Sequence, residues 1–310
     1  MMPHEHYRNF VGYGQFPPHP QWPNQARLAL NFILNYEEGS EYSFPDGDGK
    51  SEATLTDTGQ SDMGVGGRDL AAESLFEYGS RVGFWRLNRL FVERGVPLTV
   101  SASALALERN PDAAQAIVQA GHEVLCHGWR WINQYHLSIE EEREHIQKAV
   151  MSLTQTTGKR PLGWYCRYGP SLLTRSLLVE EGGFLYDSNY YGDELPFWEE
   201  VEGKPHLVIP HTFTNNDNKF GRGWWATAED FFVWMRDAFD VLYEEGETQP
   251  KMMSVSLHLR ISGHPARFTG VRRFLDYVQA REGVWICQRQ DIAHHWIHHF
   301  PYKSQVSFHE

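Results

Sequence analysis

Three features are scarce in this sequence: cysteine, long apolar runs and positive charge. Its 310 residues include only 3 cysteines, Cys126, Cys166 and Cys287, and none of them has CxxC spacing. Three cysteines cannot all pair with one another, so we expect free thiols in a reducing compartment. No apolar stretch approaches the ~20 residues of a membrane span, and the N-terminal MMPHEHYRNF lacks the apolar core of a signal peptide. These absences predict a cytoplasmic protein.

Basic residues are outnumbered by acidic ones. The chain has 28 Lys and Arg against 40 Asp and Glu, which gives a formal net charge of −12. A surface of that sign repels nucleic acid and anionic membranes. We therefore expect a small-molecule ligand as the partner, and neither nucleic acid nor a membrane.

Several familiar catalytic motifs are absent as well. The sequence contains no P-loop, no GxGxxG and no GxSxG, so nucleotide, dinucleotide and serine-hydrolase sites lack their usual anchors. The stretch HEVLC begins like the HExxH of zinc proteases, but the second histidine stands at 127 instead of 126. The stretch is also typical of a strand and not of the helix which that motif requires. We interpret His122 as a structural, hydrogen-bonded residue.

Apolar and aromatic side chains, in contrast, are abundant. Apolar residues make up 41% and aromatic residues 14% of the chain, so a large core is available and disorder is not expected. Residues 1–26 are rich in proline, glycine and aromatics, which predicts an irregular arm. Residues 27–300 predict one folded domain, followed by a short tail at 301–310. The arm indicates subunit contacts in a homo-oligomer.

Strand and helix patterns alternate along this domain. Strands are predicted at 27–36, 98–102, 122–128, 163–167, 184–187, 207–211, 252–260 and 284–288. Helices are predicted between them, at 83–93, 104–120, 138–158, 172–181, from 227, at 268–280 and from 291. Such alternation is typical of a parallel sheet. The count of about seven or eight units favours a closed barrel over an open sheet, so the predicted fold class is α/β, as a single (β/α) barrel.

The first strand ends in two adjacent carboxylates. The stretch RLALNFILNYEEG, residues 27–39, places both acids directly after a buried apolar strand. Active groups of α/β barrels lie at the C-terminal ends of the strands. Polar residues at the strand ends are therefore the site candidates: Glu37, Glu38, His127, Arg167, Asp187, Asn189, His211, His258 and Arg260.

A long polar segment follows the acid pair. Residues 39–68 are dense in Gly, Ser, Asp and Thr. Loops of that length in compact domains are usually functional or disordered. We expect this one to form a lid or a wall of the site.

The order of the strand-end motifs resembles that of the polysaccharide deacetylase superfamily, whose motifs are TFDDG, HxxxH, an RPPY-like segment and an LxxH-like segment. NYEEG corresponds to the first motif, HGWRW to the second, CRYGP to the third and SLHLR to the last. The sequence is more similar still to one branch, the metal-independent allantoinases of urate catabolism and the related cyclic imide hydrolases. Stretches that carry this likeness include VGYGQFPPHPQWP, ESLFEYGSRVGFWR, YDSNYYGDELPFW and EDFFVWMRDAFDVLYEEG. The resemblance spans residues 7–299 and implies a distorted, polysaccharide-deacetylase-like barrel.

The resemblance also implies roles at the matching positions. Glu37 matches the catalytic base, which partial burial would keep at a pKa near the working pH. Arg167 matches the arginine that orients this base through a charge-assisted bond. His258 matches the late histidine and is expected to protonate the departing nitrogen. Other residues at or beside these motifs are expected to bind substrate: Tyr36, Glu38, His127, Trp131, Asn189 and Arg260.

One departure from the deacetylase pattern concerns the metal. In the deacetylases the second acid of the first motif and two histidines four apart hold the ion, and those positions are Glu38, His127 and Trp131 here. An indole supplies no lone pair for a metal. The resemblance therefore implies no cofactor, and a zinc ion would need His136 or His211 as a replacement ligand.

The leading hypothesis is a hydrolase that uses Glu-activated water to open a five-membered cyclic amide: allantoin to allantoate, or a related hydantoin or cyclic imide. Two departures bear on the substrate, since the allantoinases usually have arginine at the position of His264 and an acid at that of Asn189. Two alternatives stay open. One is a metal-dependent deacetylase of a polysaccharide or N-acetyl sugar, and the other is a non-catalytic ligand-binding barrel.

Overall fold

The computed structural model describes residues 8–58 and 67–303 of the chain. The strands in these residues are β1 Leu28–Tyr36, β2 Thr99–Ala102, β3 Glu123–Cys126, β4 Gly163–Trp164, β5 Tyr186–Asp187, β6 Phe197–Val201, β7 Lys204–Val208, β8 Lys251–His258 and β9 Val284–Ile286. The α-helices are α1 Leu70–Tyr78, α2 Phe84–Glu93, α3 Ala104–Arg109, α4 Pro111–Gln119, α5 Ile139–Thr157, α6 Thr174–Glu181, α7 Asn218–Gly221, α8 Ala228–Glu245, α9 Leu259–Ser262, α10 Pro265–Gln279 and α11 Arg289–His299. The predicted α/β fold class is confirmed.

β1 is the central strand of one curled sheet. All nine of its residues are buried. It pairs in parallel with β2 and β8, so that Leu34 lies beside Val100 on one side and Leu257 on the other. The path runs β6, β7, β5, β4, β3, β2, β1, β8, and β9 pairs with the first half of β1. Only the β6–β7 pairing is antiparallel among the described strands, so the carboxyl ends of the other strands meet at one edge.

An irregular segment closes the sheet beside β8. The backbone N–H of Ser256 donates to the Asn215 carbonyl at 2.9 Å, and that of Asp217 donates to the Ser256 carbonyl at 3.0 Å. This segment, residues 211–217, occupies the place where a further strand would complete a barrel. The barrel is therefore distorted, and the segment brings Asp217 to the end of β8.

Capping signals in the sequence define two long helices. Ser138 and Glu141 form a capping box at the start of α5, and Thr227 and Asp230 form another at the start of α8. Each box pairs backbone N–H groups that the first helical turn leaves without partners. The single helix predicted at 104–120 is instead α3 and α4. Asn110 caps α4, and Pro111 has no N–H with which to continue α3.

Two glycines let the first helices approach the edge of the sheet. Residues 79–83 form a π-helical turn between α1 and α2. A Cβ on Gly79 would lie 2.6 Å from Oε1 of Glu38, and one on Gly83 would collide with the Leu259 carbonyl oxygen. Only glycine allows these contacts. The helix predicted at 83–93 is α2, and the π-helical turn joins it to α1, which starts at Leu70.

Buried apolar side chains form two clusters, one on each side of the sheet. The larger contains Phe32, Phe91 and Phe274, and the smaller contains Trp22 and Trp296. The three cysteines are buried and unpaired, which confirms the prediction of free thiols.

The described part of the N-terminal arm lies against its own barrel. Trp22 Nε1 donates to the Lys251 carbonyl at 2.9 Å, and Tyr13 Oη donates to the Pro196 carbonyl at 2.5 Å. Residues 1–7 and 304–310 lie outside the described residues, so the division into arm, barrel and tail stays a prediction. Within the described ranges, no helix has both the length and the apolar character needed to cross a membrane.

Candidate active site

Glu37 follows β1 and is only 1% exposed. Its Oε1 lies 3.3 Å from Nε2 of His127 and 3.5 Å from Nε2 of His258. Its Oε2 forms an ion pair at 2.8 Å with Nη1 of Arg260. The ends of β1, β3 and β8 thus meet around one carboxylate, as expected at the carboxyl edge of a parallel sheet.

His127 follows β3 and is held through one ring nitrogen. Its Nδ1 is bonded to the carbonyl oxygen of Tyr165. A carbonyl oxygen only accepts, so Nδ1 carries the proton of this bond. In the neutral ring, Nε2 then presents a lone pair toward Glu37. The Nε2 lone pair of His127 and Oε1 of Glu37 are both acceptors. A water molecule or a substrate N–H between them could donate hydrogen bonds to both.

Asp217 orients His258, the last residue of β8. His258 Nδ1 donates to Oδ1 of Asp217 at 2.6 Å, and the His258 backbone N–H donates to Oδ2 at 2.8 Å. Ser262 Oγ also donates to Oδ2, at 2.5 Å. Burial lowers the pKa of His258, but the charges of Glu37 and Asp217 outweigh it, so the pKa lies above its usual 6.5. His258 can therefore hold a proton on Nε2 beside Glu37.

Asp217 was not among the site residues predicted from the sequence. It lies in the irregular segment that closes the barrel, where no strand pattern marks a site. The one signal is the polar run TFTNNDNK, residues 212–219, between a strand and a long helix. Loops carried by a rigid scaffold often hold functional residues, and this run could have been included on that ground.

Arg260 bridges the two acids. Its Nη1 lies 2.8 Å from Oε2 of Glu37 and 3.1 Å from Oε1 of Glu38. The guanidinium carbon lies 4.4 Å from the centre of the Phe76 ring and 4.7 Å from that of Trp131. This buried cation is packed between two aromatic faces, which fixes its position.

The pKa values of the two acids are shifted in opposite directions. Burial disfavours the charged form of both. For Glu37, the positive charges of Arg260 and His258 outweigh burial and hold the pKa well below its usual range. For Glu38, burial outweighs Arg260, the charge of Glu37 adds to it, and the pKa is raised. Glu37 is therefore the more acidic member of the pair. The expectation that burial keeps the pKa of Glu37 near the working pH is wrong for this arrangement.

Arg167 has partners other than the one predicted. Its Nη1 donates to Oε2 of Glu52 at 2.6 Å and to the Trp131 carbonyl at 3.1 Å. Its guanidinium carbon lies 3.9 Å from the centre of the Trp131 ring. The arginine that pairs with Glu37 is Arg260, because β8 lies directly beside β1 whereas β4 lies three strands away. We therefore correct the arginine partner of the base from Arg167 to Arg260.

Comparison with known proteins agrees with this fold. A family model described as polysaccharide deacetylase matches residues 70–183. A putative polysaccharide deacetylase of Schizosaccharomyces pombe is 39% identical over 302 residues, which cover 91% of this chain and 94% of that protein. This chain belongs to the polysaccharide deacetylase family. The predicted family is confirmed, and the fold is that of the family's hydrolases.

Two solved structures of this family are very similar to the chain. A probable polysaccharide deacetylase from Pseudomonas aeruginosa PAO1 has a TM-score of 0.92 and 49% sequence identity, covering 96% of this chain and 99% of that one. PuuE allantoinase has a TM-score of 0.91 and 48% identity, with the same coverage of 96% and 99%.

The residues at the metal positions of the deacetylase family do not fit a divalent ion here. Trp131 supplies no lone pair, and its ring lies against the guanidinium groups of Arg167 and Arg260. Glu38 already accepts from the Glu37 backbone N–H at 3.0 Å and from Arg260 at 3.1 Å. In residues 8–58 and 67–303, no group of three or more His, Cys, Asp or Glu is arranged to hold a metal. The positive charge beside the acid pair comes from Arg260.

The two histidines considered as replacement ligands do not restore a metal site. His136 lies on a 3-10 turn at Gln134–His136 and is exposed. His211 is buried, and its ring stacks on Tyr165 with 4.8 Å between ring centres.

Two predicted substrate-binding residues have structural partners. Tyr36 points away from Glu37, as alternate strand residues do, and packs edge-on against Phe84 at 5.4 Å. Its hydroxyl is bonded to Ser80 Oγ and Asn110 Nδ2, both at 2.8 Å. The assignment of Tyr36 to the substrate is therefore corrected to a core role. Asn189 Oδ1 accepts the Cys166 backbone N–H at 3.0 Å, which holds the chain after β4 in place.

The segment after the acid pair covers the site. Residues 40–58 are tied to the barrel by the ion pairs Arg109–Asp46, Arg130–Asp48, Arg167–Glu52 and Arg267–Asp57. The Leu55 carbonyl also accepts from Arg260 Nε at 3.1 Å. This segment is the described part of the predicted lid or wall, and residues 59–66 lie outside the description. Residues 40–58 exclude bulk water from Glu37. The electrostatic interactions of Glu37 with its neighbours are therefore stronger.

Proposed function

We propose that this chain is a hydrolase that opens a five-membered cyclic amide, with allantoin as the first candidate and a hydantoin or cyclic imide as the next. The observation that carries the proposal is Arg260, whose guanidinium supplies a fixed positive charge to both acids. The similarity to PuuE allantoinase, 48% identical over 96% of this chain, supports ring opening as the reaction. A strained or electron-poor cyclic amide needs less activation than an acetamide, which suits a site without a Lewis acid.

Water activation in this mechanism belongs to Glu37 and His127. A water that donates to Oε1 of Glu37 and Nε2 of His127 is oriented for attack on the amide carbonyl carbon. Glu37 takes its proton as the new C–O bond forms. The low pKa of Glu37 makes it a weak base while Arg260 is bound. Negative charge that develops on the substrate oxygen beside Arg260 offsets this positive charge and makes Glu37 more basic.

Arg260 has a donor free for that oxyanion. Its Nη2 is buried and, among the described residues, has no hydrogen-bond partner. A fixed donor aimed at developing negative charge stabilises the transition state more than the ground state. We therefore assign oxyanion stabilisation to Arg260 in addition to its contact with the acids.

His258 completes the reaction. Its Nε2–H protonates the amide nitrogen as the C–N bond breaks and the ring opens to a carboxylic acid. The raised pKa of His258, caused by Glu37 and Asp217 against the effect of burial, keeps that proton available near neutral pH. The proton held by Glu37 then returns to His258, which restores the starting state.

The names of two relatives favour a second candidate. The Schizosaccharomyces pombe and Pseudomonas aeruginosa proteins are called putative or probable polysaccharide deacetylases. Deacetylation of an N-acetyl sugar in this family relies on a metal, and Trp131 and the Arg260-bound Glu38 oppose one here. This candidate therefore ranks second, before a non-catalytic ligand-binding barrel.

Turnover after metal removal separates the three functions. Purified protein is dialysed against a chelator, its metal content is measured, and it is assayed with allantoin, hydantoin, succinimide and an N-acetylglucosamine oligomer. We expect ring opening to survive metal removal and no acetate to be released. Complete loss that zinc restores would contradict the metal-free mechanism, acetate release would favour the deacetylase, and no turnover would favour the ligand-binding barrel. Cytoplasmic location and a homo-oligomer stay predictions.

A further inference from the structure

His211 is a buried imidazole with two unused ring nitrogens. It lies just after β7 and is 1% exposed. Neither its Nδ1 nor its Nε2 has a hydrogen-bond partner in the part of the chain that the structure describes. The large majority of buried polar atoms in folded proteins do have partners, and an unsatisfied one is destabilising. Two such atoms in one side chain indicate a ligand that the chain itself does not provide.

The ring of His211 lies next to the acid–histidine site. Tyr165 is stacked between two histidines, with ring centres 5.3 Å from His127 and 4.8 Å from His211. Burial lowers the pKa of His211 well below 6.5, and the positive charge of nearby Arg289 lowers it further. A neutral imidazole has one N–H donor and one lone pair. Such a ring can donate to and accept from a polar group of a ligand.

His211 also belongs to the wall of a large surface cleft with a volume of about 1730 Å³. Asn189, Tyr191 and Phe213 line the same cleft, together with the described part of the N-terminal arm. Glu37, His127 and His258 are buried and do not line this cleft, and His211 is linked to His127 through the ring of Tyr165. Tyr191 packs edge-on against the His211 ring at 6.2 Å and is 36% exposed. A ligand in the cleft would displace this tyrosine to reach the imidazole.

We propose that His211 determines substrate specificity by hydrogen-bonding a neutral polar substituent of the cyclic amide, which is the ureido group in allantoin. This inference rests on the proposed ring-opening function. It adds that His211 recognises the substituent of the ring. With the ring amide at Glu37, a substituent directed toward the cleft passes His211. A ureido group carries N–H donors and a carbonyl acceptor. The lone-pair nitrogen of the imidazole can accept from the former, and the imidazole N–H can donate to the latter. Hydantoin has the same ring without this group.

Two variants of His211 test the inference. His211→Phe keeps a flat ring against Tyr165 and removes both nitrogens. We expect kcat/KM for allantoin to fall about 10- to 100-fold, mainly through KM, because a polar group loses its partner in a buried site. The value for hydantoin should stay within about threefold of wild type. His211→Gln restores a donor and an acceptor and should recover part of the loss with allantoin.

His122→Phe is the matched control. His122 is also buried and also has an unused ring nitrogen, Nε2, but it precedes β3 at the end away from Glu37. The His122→Phe substitution should leave the ratio of kcat/KM for allantoin to kcat/KM for hydantoin unchanged. Equal losses for both substrates in His211→Phe, or no loss, would overturn the role of His211 and leave ring opening intact.

Binding separates this inference from the proposed function. If the wild-type chain opens neither compound, the proposed function fails. Calorimetric titration of allantoin into wild type and His211→Phe then decides the inference. Binding that weakens about 10-fold or more in the variant supports recognition of the ureido group. Equal binding by both proteins, or no binding by the wild type, overturns it.

Discussion

Two buried polar clusters lie at opposite ends of β3, and they differ in how far their hydrogen bonds are satisfied. At the start of β3, Glu123 accepts from Tyr186 Oη at 2.6 Å, Thr99 Oγ1 at 2.8 Å and the Gln290 backbone N–H at 3.0 Å. Nearby, the guanidinium of Arg289 donates to Ser188 Oγ at 2.7 Å. Beyond the end of β3, Nη2 of Arg260 and both ring nitrogens of His211 lack hydrogen-bond partners among the described residues.

This difference distinguishes a structural cluster from a working one. A buried charge with all its partners inside the chain rigidifies the fold and has no capacity left for a ligand. A buried charge with open positions destabilises the fold until a ligand fills them. Natural proteins retain unsatisfied buried groups mainly at functional sites. Mutations in the two clusters should therefore affect different measurements, and the following four predictions test that contrast.

The largest effect is expected for Glu37→Gln. The amide keeps the shape of the side chain but cannot take a proton from water, so kcat for ring opening should fall about 10²- to 10⁴-fold. Thermal unfolding should show a cooperative transition like that of wild type, since the variant removes a buried charge without adding volume. Turnover equal to that of wild type would remove Glu37 as the base.

Asp217→Asn is expected to have the next largest effect. Asp217 is one of the charges that raise the pKa of His258, so its loss lowers that pKa. In the proposed mechanism His258 acts while protonated, so activity is expected below its pKa and is lost above it. The alkaline limb of the pH–rate profile should therefore move to lower pH, and kcat should fall about 100-fold. An unmoved alkaline limb would mean that another group supplies the proton.

Glu123→Gln is the counterpart of Glu37→Gln in the satisfied cluster. Its amide NH₂ would face donors such as the Gln290 N–H or the Thr99 hydroxyl. We expect the free energy of unfolding to fall by about 1–3 kcal/mol, measured by denaturant titration. The kcat of the folded protein should stay within about twofold. A loss of activity without a loss of stability would break the contrast between the two clusters.

The smallest effect is expected at the edge of the covering segment. Arg267 and Asp57 form an ion pair at 2.5 Å, and the two side chains are 21% and 47% exposed. Because such pairs are screened by solvent, Arg267→Met should lower the free energy of unfolding by less than about 1 kcal/mol. Limited proteolysis should cut residues 40–58 faster in this variant than in wild type. An unchanged cleavage rate would show that this pair does not hold the segment in place.

Much of the fold could be read from local patterns. The buried run of β1, the starts of α5 near Ser138 and of α8 near Thr227 and the motif order all depend on neighbouring residues, and each is confirmed. The short β6 was missed because its residues, FWEEV, are mostly half-exposed and show no clear apolar alternation. The break at Asn110 was missed because the apolar pattern continues across it.

The site was less predictable because it depends on which strands are neighbours. Glu37, His127 and His258 come together as the motifs implied. Arg167 and Arg260 both follow strands, and only the pairing of β8 with β1 decides that Arg260 reaches the acids. Asp217 belongs to no strand, and its role follows from an irregular segment that packs beside β8.

The sequence by itself determined the α/β alternation, the acid pair at the end of β1, the family and the loss of a metal ligand at Trp131, because each is a property of residue type at a local position. Only the tertiary structure decided that Arg260 neutralises the acid pair, that Asp217 holds His258, and that His211 lies unsatisfied beside the cleft. These are contacts between side chains distant in the sequence. They depend on strand order, burial and the few ångströms that separate charged atoms.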